Sequence, residues 1–181
     1  MHYITLETKL LMIKNLAFFL LLTVFTLTVS CKKTYENQLS PVVINELMPV
    51  NTNTVADNYG EFDDWVELYN KSAVTIDLSG YYLSDNHKKP TKWRIPQGTN
   101  IAGNDYLIIW CDGDSLQYGL HTNFKLSSAG EEAVLTNPGE TIMDKITFPA
   151  PTEELSYSRV PNGTGSFRWQ IPTFNRSNGS N

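Results

Sequence analysis

A chain of 181 residues, 41% hydrophobic and 12% aromatic, is long enough for one folded domain and too apolar for an intrinsically disordered segment. Its formal net charge is −5 at pH 7, and no stripe of Lys and Arg runs along it. Nucleic-acid binding rests on neutralising phosphates, so the composition argues against a nucleic-acid partner.

The first feature in chain order is an unbroken run of apolar residues and threonines over residues 16–29, LAFFLLLTVFTLTV. It is shorter than the roughly 20 residues that a spanning helix needs. Lys14 supplies a basic flank before it, and small Ser30 and then Cys31 follow it. This is the pattern of a cleavable leader over residues 1–30, for which Met12 would make an ordinary start. Thr28-Val29-Ser30-Cys31 resembles the lipobox of bacterial lipoproteins, with Thr28 where Leu is usual. The resemblance implies cleavage before Cys31 and acylation of its thiol.

Each buried methylene contributes about 0.8 kcal/mol and several chains anchor stably, so a membrane is the expected partner through the lipid. Losing Lys9, Lys14 and Glu7 with the leader takes the net charge to about −6. Residues 31–41 then form the lipidated Cys and a polar tether, with Lys32 and Lys33 at headgroup level. Lys32 does not resemble the Asp that retains some lipoproteins in an inner membrane, so the expected localisation is the cell envelope, at the outer membrane. With Cys31 acylated, Cys111 has no disulfide partner, and its place after an apolar run suits a small buried hydrophobe.

From Val42 onward, short apolar runs alternate with turn residues and no sustained helical period occurs. Residues 42–47 and 64–70 read as strands, the second with Val66 and Leu68 on one face and Trp65, Glu67 and Tyr69 on the other. Further strands are expected over residues 74–78, 81–84 and 91–95, the last closed by Pro96. The most apolar strand, residues 106–111, is expected at the centre of a sheet. Strands over residues 124–126, 131–136, 140–148, 155–160 and 167–169 follow, with turns at Asn137-Pro138-Gly139 and Pro161-Asn162-Gly163. Eight to ten short strands at this spacing make an all-β sandwich or a partly closed barrel.

Ile44-Asn45-Glu46-Leu47, Asp64 to Asn70 (DWVELYN) and Asp77 to Asp85 (DLSGYYLSD) are similar to successive signatures of the lamin tail domain. Trp93-Arg94-Ile95-Pro96, residues 106–110, His121 to Leu126 (HTNFKL), Gly130-Glu131, Asp144, Ser156 and Arg159 continue the match in order. The resemblance implies an immunoglobulin-like β-sandwich over residues 42–175, followed by a polar tail over residues 176–181. It also implies an accessory or binding module, because that family has no shared catalytic residues. Pro172 to Asn175 lacks the Pro-Gly usual at the end of the family's pattern.

Several residues carry chemistry worth following. Asp57, Glu61, Asp63 and Asp64 cluster in one loop, and hard cations such as Ca²⁺ need six to eight oxygens. The spacing is not that of an EF-hand, so the expectation is a solvated loop, with no cofactor assigned and Ca²⁺ the ion it would suit. Glu46 and Glu67 fall in apolar strands, as paired carboxylates do in glycoside hydrolases, or serve the structure. Arg159 and Asp144 also sit in strands; buried charge must be paired, so Arg159 is expected to pair with Asp144 or Glu67.

His87 and His121 have no third ligand at a zinc-like spacing, and no Gly-x-Ser-x-Gly elbow occurs. Tyr81, Tyr82, Trp93 and Trp169 are read as core aromatics rather than a sugar platform. Asp114-Ser115-Leu116 resembles the acceptor triplet of O-glycosylated lipoproteins. The expected function is therefore a lipid-anchored, non-catalytic domain that binds a protein or a glycan through its loops and one sheet face. The alternatives are a carbohydrate-active or metal-dependent hydrolase built on Glu46, Glu67 and residues 57–64, and a purely structural envelope protein.

Overall fold

A computed structural model describes residues 40–151 and 154–179. The expected leader, Cys31 and nearly all of the tether lie outside the described residues. No helix among the described residues is long and apolar enough to cross a membrane.

The described residues form eleven strands: β1 (Val42–Met48), β2 (Asp64–Asn70), β3 (Ile76–Asp77), β4 (Tyr82–Ser84), β5 (Trp93–Arg94), β6 (Asn100–Ile101), β7 (Tyr106–Cys111), β8 (Gly130–Thr136), β9 (Ile142–Pro149), β10 (Ser156–Val160) and β11 (Ser166–Gln170). One antiparallel sheet runs β11-β10-β1-β2-β7, a second runs β5-β4-β8-β9, and β3 pairs with β6 as a short ribbon. The two larger sheets share one core. Ile44, Leu47, Val66, Leu68 and Ile109 come from the first, and Leu83, Ala133, Leu135 and Phe148 from the second. Each aliphatic side chain fully withdrawn from water in this way contributes about 1.5–3 kcal/mol. The all-β, immunoglobulin-like sandwich expected from the sequence is the fold.

The two faces of β2 explain why Trp65 and Glu67 alternate with Val66 and Leu68. Val66 and Leu68 enter the main core, while Trp65 joins Met48, Trp110 and Phe174 in a second cluster. The Trp65 and Phe174 rings meet edge to face at 5.2 Å. The segment after β11 thus lies over this outer face, and both faces of the strand are buried. Asn178, which the sequence reading leaves in a polar tail from residue 176, is buried. Its Nδ2 donates to Asn45 O at 2.9 Å and to Arg159 O at 3.1 Å, so the folded unit continues through this residue.

Three further expectations change. The apolar β7 is at the end of its sheet rather than at its centre. Its outer flank is covered by the following loop instead of a strand: Trp110 N donates to Leu120 O, and Thr122 N to Trp110 O, both at 2.8 Å. Residues 124–126 form no strand; Lys125 makes an isolated bridge with Asp112, and Phe124 and Leu126 plug the core. β6, too short to carry a periodic pattern, was not anticipated, and it pairs with β3. The Asn137-Pro138-Gly139 turn joins β8 to β9 as expected, closed by Asn137 N to Thr141 O at 2.9 Å.

Candidate functional site

Strand alternation separates the four acidic residues of the β1–β2 loop. Asp64 begins β2 on the side of Val66 and Leu68, opposite Cys111 in the register. Its carboxyl accepts the backbone N–H of Leu126, and burial pushes it up to about 7. Asp63 faces the other way, and one oxygen each from Asp57, Glu61 and Asp63 lie within 4.8 Å of one another.

The loop that holds them is built on two Asx side chains. Asn51 is buried; its Nδ2 donates to Val55 O at 2.7 Å and Asp63 O at 2.8 Å. Its Oδ1 accepts from Thr54 N at 3.1 Å and Val55 N at 3.2 Å. Asp57 Oδ1 accepts from Tyr59 N and Glu61 N, both at 2.8 Å. Gly60, at φ 83°, supplies the left-handed corner between them at no steric cost.

A second loop, between β7 and β8, closes against the first. Gln117 Nε2 donates to Glu61 Oε2 at 2.7 Å, and Tyr118 N to Tyr59 Oη at 3.0 Å. Between the loops lies a basin of about 260 Å³ lined by Glu61, Asp63, Asp112, Asp114, Gln117 and Lys125. Asp112 is buried and paired with the buried His121 through Nδ1. Burial, then Asp112, Glu61 and Asp57, raise the Asp63 carboxyl above its ordinary range, against the opposing pull of Lys125. Asp57 Oδ2, Asp63 Oδ2 and Gln117 Oε1 are shut off from solvent without a hydrogen-bond partner. Four aromatic or aliphatic side chains stand exposed on the same two loops: Tyr59, Phe62, Leu116 at 95% and Tyr118 at 90%.

The other sequence-singled residues are placed elsewhere. Glu46 and Glu67 are cross-strand partners, both 0% exposed, and the C-terminal segment seals them. Thr173 N donates to Glu46 Oε1 at 2.9 Å and Asn175 N to Glu67 Oε2 at 2.7 Å. Asn45 Nδ2 reaches Glu67 Oε1 at 2.9 Å. Burial, reinforced by Glu46, pushes Glu67 up to about 8. A retaining or inverting glycosidase needs its two carboxyls facing a sugar across an open groove, and this pair does not.

Arg159 meets Asp144, not Glu67: Nη2 is 2.9 Å from each Asp144 oxygen. Of the four aromatics read as core, Trp93 is buried in it and Tyr81 packs against it. Tyr82 and Trp169 are half-buried, and Trp169 lies 4.9 Å from Tyr157 on the β10–β11 edge. His87 pairs with Glu132 at 2.6 Å on the exposed side of the second sheet.

Sequence reasoning did not single out Asn51, Asp112, Gln117 or Lys125. The signal for one was visible: Asp112-Gly113-Asp114 directly follows the most apolar strand, and carboxylates there must sit at the mouth of the sandwich. Gln117 carried no such signal, because its approach to Glu61 depends on how two separate loops close.

The lamin tail domain family matches residues 36–150 of the chain, a span that ends before β10. No curated protein matches it.

Proposed function

The chain belongs to the lamin tail domain family, and from that premise we propose that it is a membrane-anchored, non-catalytic binding domain of the cell envelope. Lipid on Cys31 would hold it at the outer membrane, and the loop end of the sandwich would engage a protein or a glycan. The observation that carries the reading is the exposure of Leu116 and Tyr118 beside Tyr59 and Phe62 on two loops held together by hydrogen bonds. Exposed aromatic and aliphatic side chains on a rigid β-sandwich are the usual material of recognition surfaces. The burial of Glu46 and Glu67 weighs against the hydrolase alternative.

Two measurements test it together. Labelled palmitate should enter the wild-type chain and not a Cys31→Ala variant, and the variant should leave the envelope fraction. A photo-crosslinking residue at 116 or 118 should capture the same envelope component, while one at exposed Val74 should not. Unlabelled wild type in a soluble fraction, or equal capture from all three positions, overturns the reading.

A further inference from the structure

A pocket of about 220 Å³ opens where β1 and β9 begin and β2 and β10 end, lined by Val43, Lys71, Met143, Asp144, Arg159 and Thr164. The strand register puts it at the far end of the sandwich from the acidic basin. Val42 faces Asn70 and Tyr69 faces Tyr106 at this end, while Met48 faces Trp65 and Asp64 faces Cys111 at the other. The volume is far above the ~10–15 Å³ that admits one water and below the roughly 300–1,000 Å³ of sites for drug-sized ligands. It suits one small group.

The charges in its wall do not cancel. Lys71 and Arg159 stand against Asp144, an excess of positive charge in a chain of formal net charge −5. Among the described residues the ion pairs engage Lys92, Lys145 and Arg159 but leave Lys71 out. An unpaired lysine on an open surface is ordinary, but this one is held. Its backbone N–H donates to Pro41 O at 2.8 Å, and its stem lies against bare Gly163, where a Cβ would come within 3.0 Å of Lys71 Cγ. Arg159 is held more firmly still. Nε donates to Ile44 O and Nη2 to Asp144, and the guanidinium lies beside the Phe167 ring. Nη1 is left as a fixed cationic donor with no acceptor among the described residues.

We propose that this pocket binds one singly charged phosphate diester, whose oxygens accept from Lys71 Nζ, Arg159 Nη1 and the Thr164 hydroxyl. The single excess positive charge matches a monoanion, and a dianion would set its second charge against Asp144. A carboxylate fits arginine best on a fork of two nitrogens, and Nε and Nη2 are already taken. A phosphate group instead accepts from single donors on separate segments, as Lys71, Arg159 and Thr164 are. Val43 and Met143 give an apolar wall for the carbon substituent of the ester. A nucleic acid needs a row of cations along its backbone, which one such pocket does not offer. The diester has two sources, a phospholipid headgroup and a soluble compound. Ser40 also lines the pocket, and the nine steps of chain from Cys31 to Ser40 span at most roughly 32 Å, so a headgroup is within reach of an anchored chain. The site itself rests neither on acylation of Cys31 nor on what the Leu116 and Tyr118 tips contact.

The test uses the full chain in neutral detergent, titrated with glycerophosphoglycerol, with acetate, and with phosphatidylglycerol mixed into the same micelles. Calorimetry follows binding, and mass spectrometry follows acylation of Lys71 by an amine reagent, with exposed Lys88 as the reference. One diester per chain is expected, slowing the labelling of Lys71 at least fivefold and that of Lys88 not at all, with affinity that falls as salt is added. Acetate should bind at least tenfold more weakly. Lys71→Gln should lose at least tenfold in affinity while the unliganded chain melts as wild type does. Thr164→Glu, which puts a negative charge on the exposed rim, should lose as much, and Lys88→Gln should lose nothing. Tighter binding of phosphatidylglycerol than of the soluble diester assigns the site to the membrane, and the reverse order assigns it to a soluble compound. A folded wild-type chain that takes up neither diester and leaves Lys71 unprotected overturns the proposal. So does a Lys71→Gln or Thr164→Glu chain that binds like wild type, and acetate binding as tight as that of the diester overturns the phosphate assignment.

Discussion

Arg159 and Asp144 join the two sheets through the backbone of a third residue. Asp144 is on β9 of the four-stranded sheet and Arg159 on β10 of the five-stranded one. Besides the contact of Nη2 with both carboxylate oxygens at 2.9 Å, Arg159 Nε donates to Ile44 O at 2.8 Å, and Ile44 N donates to Asp144 Oδ2 at 2.9 Å. The β1–β2 register shifts between Ile44 and Glu46, and β10 pairs with β1 only at Glu46 and Leu47. The ion pair therefore takes over the backbone groups of Ile44 where the neighbouring strand does not reach them. The guanidinium also lies 4.6 Å from the Phe167 ring centroid.

Removing Arg159 leaves the Asp144 carboxylate without its counter-charge, held only by the Ile44 and Lys145 N–H groups, and strips Ile44 O of its side-chain donor. Arg159→Leu is expected to destabilise the domain by about 2–3 kcal/mol, below the range for fully buried pairs because both side chains keep some water contact. That is a fall in melting temperature of roughly 5–10 °C. The Arg159→Leu, Asp144→Leu double variant should lose less than the sum of the single losses. Unchanged melting of a folded Arg159→Leu chain would show that the pair adds nothing.

Glu67 sets a pH dependence of known sign. Its carboxyl is pushed up to about 8 in the folded chain by burial and by Glu46, from an ordinary 4.5. The folded state holds a proton that the unfolded state has already released, so the stabilisation is complete below about 4.5 and is lost as pH rises through about 8. The melting temperature should fall by a few degrees from pH 5 to pH 9, and Glu67→Gln, which mimics the protonated form, should flatten that slope. A slope of the same size in the variant would remove Glu67 as its source.

The C-terminal segment behaves as part of the core in this structure. Phe174→Ala takes an aromatic ring off Trp65 and Trp110, which it meets at 5.2 and 5.7 Å. A cost of about 2–4 kcal/mol is expected, since Phe174 is only partly buried. Asn178→Ala, which strips donors from Asn45 O and Arg159 O, should cost about 1–3 kcal/mol. Tryptophan fluorescence should shift to the red in the Phe174→Ala chain as water reaches the Trp65 face. No shift in emission or in melting would mean that the segment is dispensable.

Cys111 should be chemically silent in the folded protein. It is fully buried, and burial raises its thiol well above the ordinary value, so the reactive thiolate is scarce and inaccessible. A thiol-specific aromatic disulfide reagent should leave it unmodified in buffer and modify it in guanidinium. Rapid labelling of the native chain would contradict its place in the core.

The strands whose side chains alternate between two buried faces, or form one apolar run, were legible from the sequence to the residue. Asp64–Asn70 and Tyr106–Cys111 appear as read, because the period of two is a local property of the chain. The placing of Asp144 and Arg159 in strands was local too, and so was the need of Arg159 for a partner. The choice of Asp144 over Glu67 was not, since it depends on how β9 of one sheet meets β10 of the other. The same holds at the acidic loop. Four carboxylates in a row of eight residues are a fact of composition, but the division between Asp63 facing the basin and Asp64 facing Cys111 follows from where β2 begins. Gln117 comes to Glu61 across 56 positions of the chain, and the C-terminal residues reach Glu46 and Asn45 across more than 120.

What the sequence determined by itself, then, was the all-β class, the turns and the family, each set by short-range patterns of side-chain size, polarity and backbone preference. The order of strands, the edge position of β7, the sealing of Glu46 and Glu67 and the gathering of the basin's oxygens were decided only in the folded chain. They arise from the packing of segments distant in sequence, where burying apolar surface and satisfying backbone groups select one arrangement that no local pattern encodes.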